Sequence, residues 1–381
     1  MTTLVTGATG YLGGYVTAGL LARGERVLGL VRARDRAHAR ERLWETLQLH
    51  LDADAFHAAL REDRLHPVLG DVRHEDLGTS PADRARVFSE VSGVVHAAAT
   101  LNRRSARACA DVNLRGALAV AQLGRALAER GRLRRVTWVS TVAVAGRRRS
   151  EVVAEDAAIE WERSDFDPYA RTKKFGEHLA HTLLPPGSLA VVRPSIVLGD
   201  SRFPATTQFD MVRAFVRLGQ VPLLPFDPEA RLDIVPADFV GGATVALHLA
   251  PTLAHRTYHL AAGRDAPRFV EITDALSRAL GTRRVRFAPR LTRPRGATLS
   301  LLARVGPRAT RRLATLLDVF WPYLEWDVVF DNRRVVRETG LIPARFPSYC
   351  AGLFRYALDQ DFRYPLRPLP APRPALAELS L

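Results

Sequence analysis

Short apolar runs alternate with longer helical patterns through the first half of this 381-residue chain, and no other feature constrains the fold so tightly. Thr3 to Thr6 reads as a buried strand and Tyr11 to Arg23 as a helix. Arg26 to Val31 is the next strand, and a charged helix follows from about Ala37 to Leu49. Further apolar runs stand at Leu65 to Leu69, Gly93 to Ala97, Arg135 to Ser140 and Leu189 to Val192. Helical patterns at Ala108 to Glu129 and Tyr169 to Leu184 lie between them. Strands joined through helices predict βαβ units, hence an α/β protein with a doubly wound parallel sheet covered on both faces.

The turn after the first strand sharpens this reading. Thr6-Gly7-Ala8-Thr9-Gly10-Tyr11-Leu12-Gly13 spaces three glycines as Gly-x-x-Gly-x-x-Gly and opens a helix. Glycines there allow a tight turn, close approach of backbone to a pyrophosphate and close packing of helix on strand, while the helix N-terminus faces the anion. In this position the motif predicts a Rossmann-type dinucleotide site over Gly7, Thr9, Gly10, Tyr11, Leu12 and Gly13. The second strand runs out into Arg32-Ala33-Arg34. A carboxylate there would accept the ribose hydroxyls of NAD, whereas arginine suits the 2′-phosphate of NADP, so Arg32 and Arg34, assisted by Arg42, point to NADP (NADPH) over NAD.

Beyond Gly199 the pattern loosens. Residues 200–231 hold one helix and a Pro-rich loop, a strand and helix return at Leu232 to Leu249, and Thr257 to Leu260 is one more strand. The expected organisation is a dinucleotide-binding domain over 1–199, with 232–262 returning to it. A substrate-binding lobe over 200–231 and 263–365 and a poorly ordered, Pro-rich tail over 366–381 complete it.

Composition narrows the partners. The hydrophobic share is 47% and the charged share 25%, those of an ordinary globular chain with a sizeable core. The net charge of +15 comes from arginines spread over every helical pattern. With no helix-turn-helix, zinc-finger spacing or RNA-binding aromatic motif, no nucleic-acid partner is expected. From Gly281 to Arg312 there are ten arginines and no carboxylate. That stretch reads as a solvated helical face, or as a dock for an acidic partner. Its companions Leu299, Leu301, Leu302, Leu313, Leu316 and Leu317 would wall a pocket or fill a core. Cys109 and Cys350 are too few and too far apart for a disulfide framework or a zinc site, and no metal is expected. No leader precedes the first strand and no apolar run reaches the roughly 18 residues of a membrane span, so a cytoplasmic chain is expected.

Only two lysines occur, Lys173 and Lys174, against more than fifty arginines. Lys173 stands four residues after Tyr169, in Pro168-Tyr169-Ala170-Arg171-Thr172-Lys173, so the two share a helix face. A free phenol titrates at about 10. A neighbouring ammonium would favour phenolate and bring Tyr169 toward working pH, a role arginine does not fill equivalently.

Together these residues resemble the short-chain dehydrogenase/reductase superfamily, extended type. Gly70-Asp71-Val72 is similar to its acidic turn at the adenine, and His96-Ala97-Ala98-Ala99 to its loop beside the ribose. Asn113 is similar to the family's helix-bending asparagine. Ser140-Thr141, ahead of Gly146, stands where the catalytic hydroxyl is found, and Arg193-Pro194-Ser195-Ile196 resembles the segment flanking the nicotinamide. The resemblance implies a catalytic set of Thr141, Tyr169, Lys173 and Asn113. It adds Asp71, Val72, His96, Ala97, Ala98, Pro194, Ser195 and Ile196, with Tyr169 and Lys173, to the cofactor site.

Within the superfamily the likeness is to thioester reductase domains and fatty acyl-CoA reductases, carried by Leu30 to Ala33 leading to Ala39-Arg40-Glu41-Arg42-Leu43. Gly199 to Arg202 followed by Phe209-Asp210, and Asp233 to Phe239, are also similar. The position after the lysine, often tryptophan in thioester reductases, is Lys174. The likeness implies reduction of an acyl thioester to aldehyde or alcohol, with the arginine-rich stretch a dock for an acidic acyl carrier protein or the phosphates of coenzyme A and its leucines the wall of an acyl pocket. Rival readings are a ketoreductase or secondary-alcohol dehydrogenase on a polyketide- or steroid-like substrate, a sugar-nucleotide epimerase or dehydratase, and a non-catalytic NADP-sensing module. Asp238, near Pro236 and opening a helix, reads as a cap.

Overall fold

The computed structural model describes residues 1–156, 158–219, 222–289 and 327–372. Seven strands form one parallel sheet: β1 (Thr2–Thr6), β2 (Arg26–Val31), β3 (Leu65–Leu69), β4 (Gly93–His96), β5 (Arg135–Val139), β6 (Leu189–Pro194) and β7 (Thr257–Leu260). Their order is β3-β2-β1-β4-β5-β6-β7, so the winding reverses between β1 and β4, where a crevice opens outside the strand ends.

Alternate residues along each strand enter opposite layers, as a period of two requires. Val5, Val95, Val139 and Val192 join one core, with Val16 and Leu20 of α1 (Tyr11–Leu21) and Leu43 and Leu47 of α2 (Arg36–Leu47). Leu4, Val94, Trp138 and Val191 face the other way, against Val120 and Leu127 of α3 (Gly116–Glu129) and Ala180 of α4 (Pro168–Leu183). Burial on both faces explains why the strands read as unbroken apolar runs.

Three differences from the sequence reading have local causes. Helices Ala53–Arg61 and Pro81–Glu90 fill the crossovers flanking β3; Asp52 and Ser80 cap them through their side chains. The pattern read as one helix from Ala108 is a short turn (Ala106–Cys109), a wide π turn (Ala110–Arg115) and then α3. The strand expected at Leu232 is two residues, Ile234–Val235, paired with Ile196–Val197 outside the main sheet.

A second lobe stands over the carboxyl ends of β5 and β6. Helices α5 (Asp210–Gly219), α7 (Phe269–Leu280) and α8 (Phe346–Asp359) pack around Phe215, Phe269, Leu276, Phe346 and Phe354. Between α5 and α7 the chain returns through α6 (Ala237–Leu249), which packs on α1. The described part of the tail, up to residue 372, lies against α2 and the helix Ala53–Arg61: Trp44 Nε1 donates to Arg367 O (2.8 Å), Arg367 N to Gln48 Oε1 (2.8 Å), and His57 Nε2 lies 2.8 Å from Pro370 O. Most of the arginine-rich stretch, residues 290–312, with the six leucines between 299 and 317 and the tail beyond 372, lies outside the described residues.

Candidate active site

The glycine turn is built to bring backbone close. Gly7 has φ +74°, and a Cβ there would fall 2.7 Å from Ala98 N, on the loop after β4. At Gly13 a Cβ would fall 1.9 Å from Gly7 O. Gly10 begins α1 with no capping side chain, and no acidic residue occupies the first turn. Its amide groups and dipole are thus left to an anion, and the turn fits a pyrophosphate. Thr9 meets α2, its carbonyl accepting from Thr46 Oγ1 at 3.1 Å. Tyr11 faces the second lobe, donating to Gly199 O at 3.3 Å, and burial pushes its phenol up to about 12.

Around the ends of β2 and β3 stand Arg32 and Arg34, both exposed. Asp35 caps α2 by accepting from His38 N at 2.8 Å, and its other oxygen pairs with Arg34 Nε at 3.3 Å. Arg42 donates to Arg32 O. Asp71 is held by Arg73 in a two-pronged pair at 3.0 and 2.7 Å, and Val72 packs against Gly116.

On the other side of the turn one crevice is lined by Gly10 to Gly13, Ala97, Ala99 and Val139 to Ala143. Tyr169, Lys173, Pro194 to Val197 and residues of the second lobe complete it. Thr141 stands two residues after β5 and caps the following short turn, Ala143 N donating to its Oγ1 at 3.2 Å. Tyr169 sits in the first turn of α4, whose start is set by Pro168 and by Asp167 accepting from Ala170 N at 2.8 Å. Lys173 follows one turn later on the same face. Thr141, Tyr169 and Lys173 therefore border one crevice, with the Thr141 hydroxyl on the side of the phenol.

The electrostatics differ from the simple expectation of an ammonium lowering a phenol. Burial pushes Tyr169 up first, while the Arg103 guanidinium, 4.8 Å from the ring centroid, and the Thr141 hydroxyl pull it back. Lys173 donates to Val139 O at 2.6 Å. Burial lowers its ammonium to about 8, against the attraction of Glu177. Glu177 is fully buried, paired with Arg193 and accepting from Ser140 Oγ. Neither Arg103 nor Glu177 belonged to the sequence-derived set. Glu177 carried a signal, since it lies four residues beyond Lys173 on the Tyr169 face; Arg103 was one arginine among many.

Three residues singled out in the sequence make structural contacts: Asn113 bridges backbone, His96 is a core histidine, and only Asp238, read as a cap, takes another place. Asn113, in the wide turn before α3, does not line the crevice. Its Oδ1 accepts from Thr100 N (2.8 Å), and its Nδ2 donates to Thr100 O (3.2 Å) and Thr172 Oγ1 (3.2 Å), so it bolts the loop after β4 to α4. His96 turns its ring into the interior, 2.8 Å from Thr6 Oγ1 and against Trp138. Only the loop behind it borders the crevice. Asp238 does not cap α6 but holds Ser201, accepting from its N (2.9 Å) and Oγ (2.6 Å). Asp233, which the likeness to Asp233–Phe239 includes without assigning it a role, forms part of the crevice floor. It accepts from Ala262 N (2.8 Å) and Gly263 N (3.2 Å), and burial pushes its carboxyl up to about 6.

Comparison with known proteins agrees with this architecture. The terminal R domain from the myxalamid PKS-NRPS biosynthetic pathway superposes with a TM-score of 0.76 at 26% identity, over 95% of this chain and 91% of that one. A carboxylic acid reductase of Mycobacterium marinum is 30% identical over 68% of this chain and 24% of its own length. The nonribosomal peptide synthetase asaC of Aspergillus flavus is 29% identical over 67% of this chain and 26% of its own. The chain thus spans about a quarter of each of these two relatives. No helix among the described residues is long and apolar enough to cross a membrane. The family described as Male sterility protein matches residues 5–244. With that match over more than half its length, the chain belongs to the male sterility protein family of NAD(P)-binding, extended short-chain dehydrogenases/reductases.

Proposed function

We propose that this chain reduces the carbonyl of an acyl thioester to an aldehyde, with NADPH as the favoured reductant. The observation that carries the reading is the meeting of Thr141, Tyr169 and Lys173 in a crevice continuous with the glycine turn. Gly7, Gly10, Gly13 and the start of α1 would hold the pyrophosphate, and Lys173 the ribose nearest the reacting carbonyl. Arg32 and Arg34 support a 2′-phosphate at the end of β2, since Asp35 is engaged as a cap. The bound nicotinamide supplies hydride.

Thr141 hydrogen-bonds the carbonyl oxygen and steadies its developing charge. Tyr169, kept protonated by burial, gives its proton to that oxygen. The resulting thiohemiacetal loses its thiol group, whose sulfur takes up the proton released by the hydroxyl as the carbonyl reforms, so aldehyde and free thiol leave. Leu101, Val142, Met211, Leu232, Val328 and Phe330 give the crevice an apolar wall suited to an acyl chain. The R-domain and carboxylic acid reductase relatives support a thioester, and a carrier protein or coenzyme A would then bear the acyl group.

The test is NADPH oxidation by the purified chain with acyl-CoA, carrier-bound thioesters and free ketones, repeated with NADH. Thioester-dependent oxidation with NADPH preferred is expected. Turnover of ketones alone moves the assignment to a ketoreductase, and tight NADPH binding without turnover moves it to a sensor.

A further inference from the structure

We propose that Arg103 and Asp167 form an opposed charge pair that sets the pH range over which Tyr169 carries its proton. This rests on the reading of Tyr169 as proton donor and goes beyond it, since no residue outside the Thr141, Tyr169 and Lys173 set is given a part in that step.

The geometry is specific. Arg103 comes from the loop after β4 and lines the crevice. Its guanidinium lies over the Tyr169 ring, 4.8 Å from the centroid, and its Nη1 lies 3.1 Å from Asp167 Oδ2. The two side chains are 18% and 12% exposed, so solvent screens the pair only partly. Asp167 stands two residues before Tyr169, and its other oxygen caps α4. A loop and a helix start thus present one positive and one negative group to a single phenol. Lys173 turns its ammonium to Val139 O instead. The groups around the phenol are Arg103 on the loop, Cys109 from the turn Ala106–Cys109, Thr141 just after β5, Asp167 at the start of α4 and Lys173 one turn along it.

A cation over an aromatic face stabilises the phenolate, and a carboxylate at similar range opposes it. Consistently, burial raises the phenol first, Arg103 and the Thr141 hydroxyl lower it, and Asp167 and Cys109 raise it again. Carbonyl reduction needs the protonated phenol, so its rate falls as pH rises through the phenol's pKa. Removing the charge of Arg103 moves that limb to higher pH, and removing that of Asp167 moves it lower.

The test compares the full chain with Arg103→Gln, Arg103→Lys and Asp167→Asn; asparagine caps a helix as well as aspartate does, so α4 keeps its start. Tyr169 is titrated by NMR of ¹³Cζ-tyrosine, assigned with Tyr169→Phe, and the pH profile of kcat/KM is recorded alongside with an acyl thioester. The expected result is an upward shift of about one unit in Arg103→Gln, a downward shift in Asp167→Asn, and near-native titration in Arg103→Lys. Shifts in the same direction, no shift in either, or a phenol protonated in all variants wherever the chain stays folded overturns the proposal. If the unaltered chain turns over nothing, the reductase reading fails on its own, while the phenol titration still decides this one.

Discussion

At the scale of single residues, the two lysines show what arginine does not replace. Lys173 is 5% exposed and Lys174 2%, each ammonium reaching an oxygen inside the fold, Val139 O at 2.6 Å and Asp165 Oδ1 at 2.8 Å. A compact ammonium on a flexible stem enters such sites, where a planar guanidinium would leave donors unmatched. Glu177 anchors the layer behind them. Replacing Glu177→Gln leaves Arg193 buried without its charge partner and is expected to destabilise the chain by about 3–5 kcal/mol in urea denaturation. Two other buried carboxyls make stability fall with pH. Burial pushes Asp233 from 3.8 up to about 6 and Glu155 from 4.5 up to about 7. A folded-state pKa above the unfolded one contributes stability that is fully present below the unfolded value and lost as pH rises through the folded one. Between those limits thermal stability is expected to fall, and Asp233→Asn with Glu155→Gln should flatten the fall in melts recorded across that range. The spacing of Tyr169, Lys173 and Thr141 was legible in the sequence because each is fixed by local motif. Arg103 was not, because its place over the phenol is set by loop folding across about 66 residues.

At the scale of elements, the strands were legible almost to the residue, because burial on both faces writes each one as an apolar run bounded by charge or glycine. The helices Ala53–Arg61 and Pro81–Glu90 escaped notice although Asp52 and Ser80-Pro81 are start signals; each is short, and Pro81–Glu90 is largely polar. The wide turn at Ala110–Arg115 was readable only as a bend at Asn113, since its hydrogen bonds reach other elements. The glycine turn has the sharpest element-level consequence. In Gly13→Ala the new methyl collides with Gly7 O, a backbone atom that can move only by opening the turn. Calorimetry should show NADPH affinity at least about tenfold weaker, about 1.4 kcal/mol, with the chain still folded by circular dichroism.

At the scale of the whole molecule, the sheet order places the crevice and the second lobe closes over it. The order was foreseeable in class from the alternation of strand and helix, but the lobe was not. Its core draws on α5, α7 and α8, which lie far apart in sequence and carry no shared motif. Nor did composition reveal that residues after Tyr364 run back across α2, since a Pro-rich stretch binds here through main-chain atoms, which leave no mark on side-chain identity. Truncation after Tyr364 removes the partner of the Trp44 indole and should cost about 1–3 kcal/mol, seen as a lower melting temperature and a change in tryptophan emission. The proposed function rests on a buried phenol, in the crevice that the glycine turn also lines, handing a proton to a carbonyl. The direct measurement is single-turnover NADPH oxidation with an acyl thioester by Tyr169→Phe, paired with NADPH affinity by calorimetry. The expected rate is lower by about 10²–10⁴-fold with affinity little changed; a rate that survives the loss of that one hydroxyl rules out Tyr169 as the proton donor.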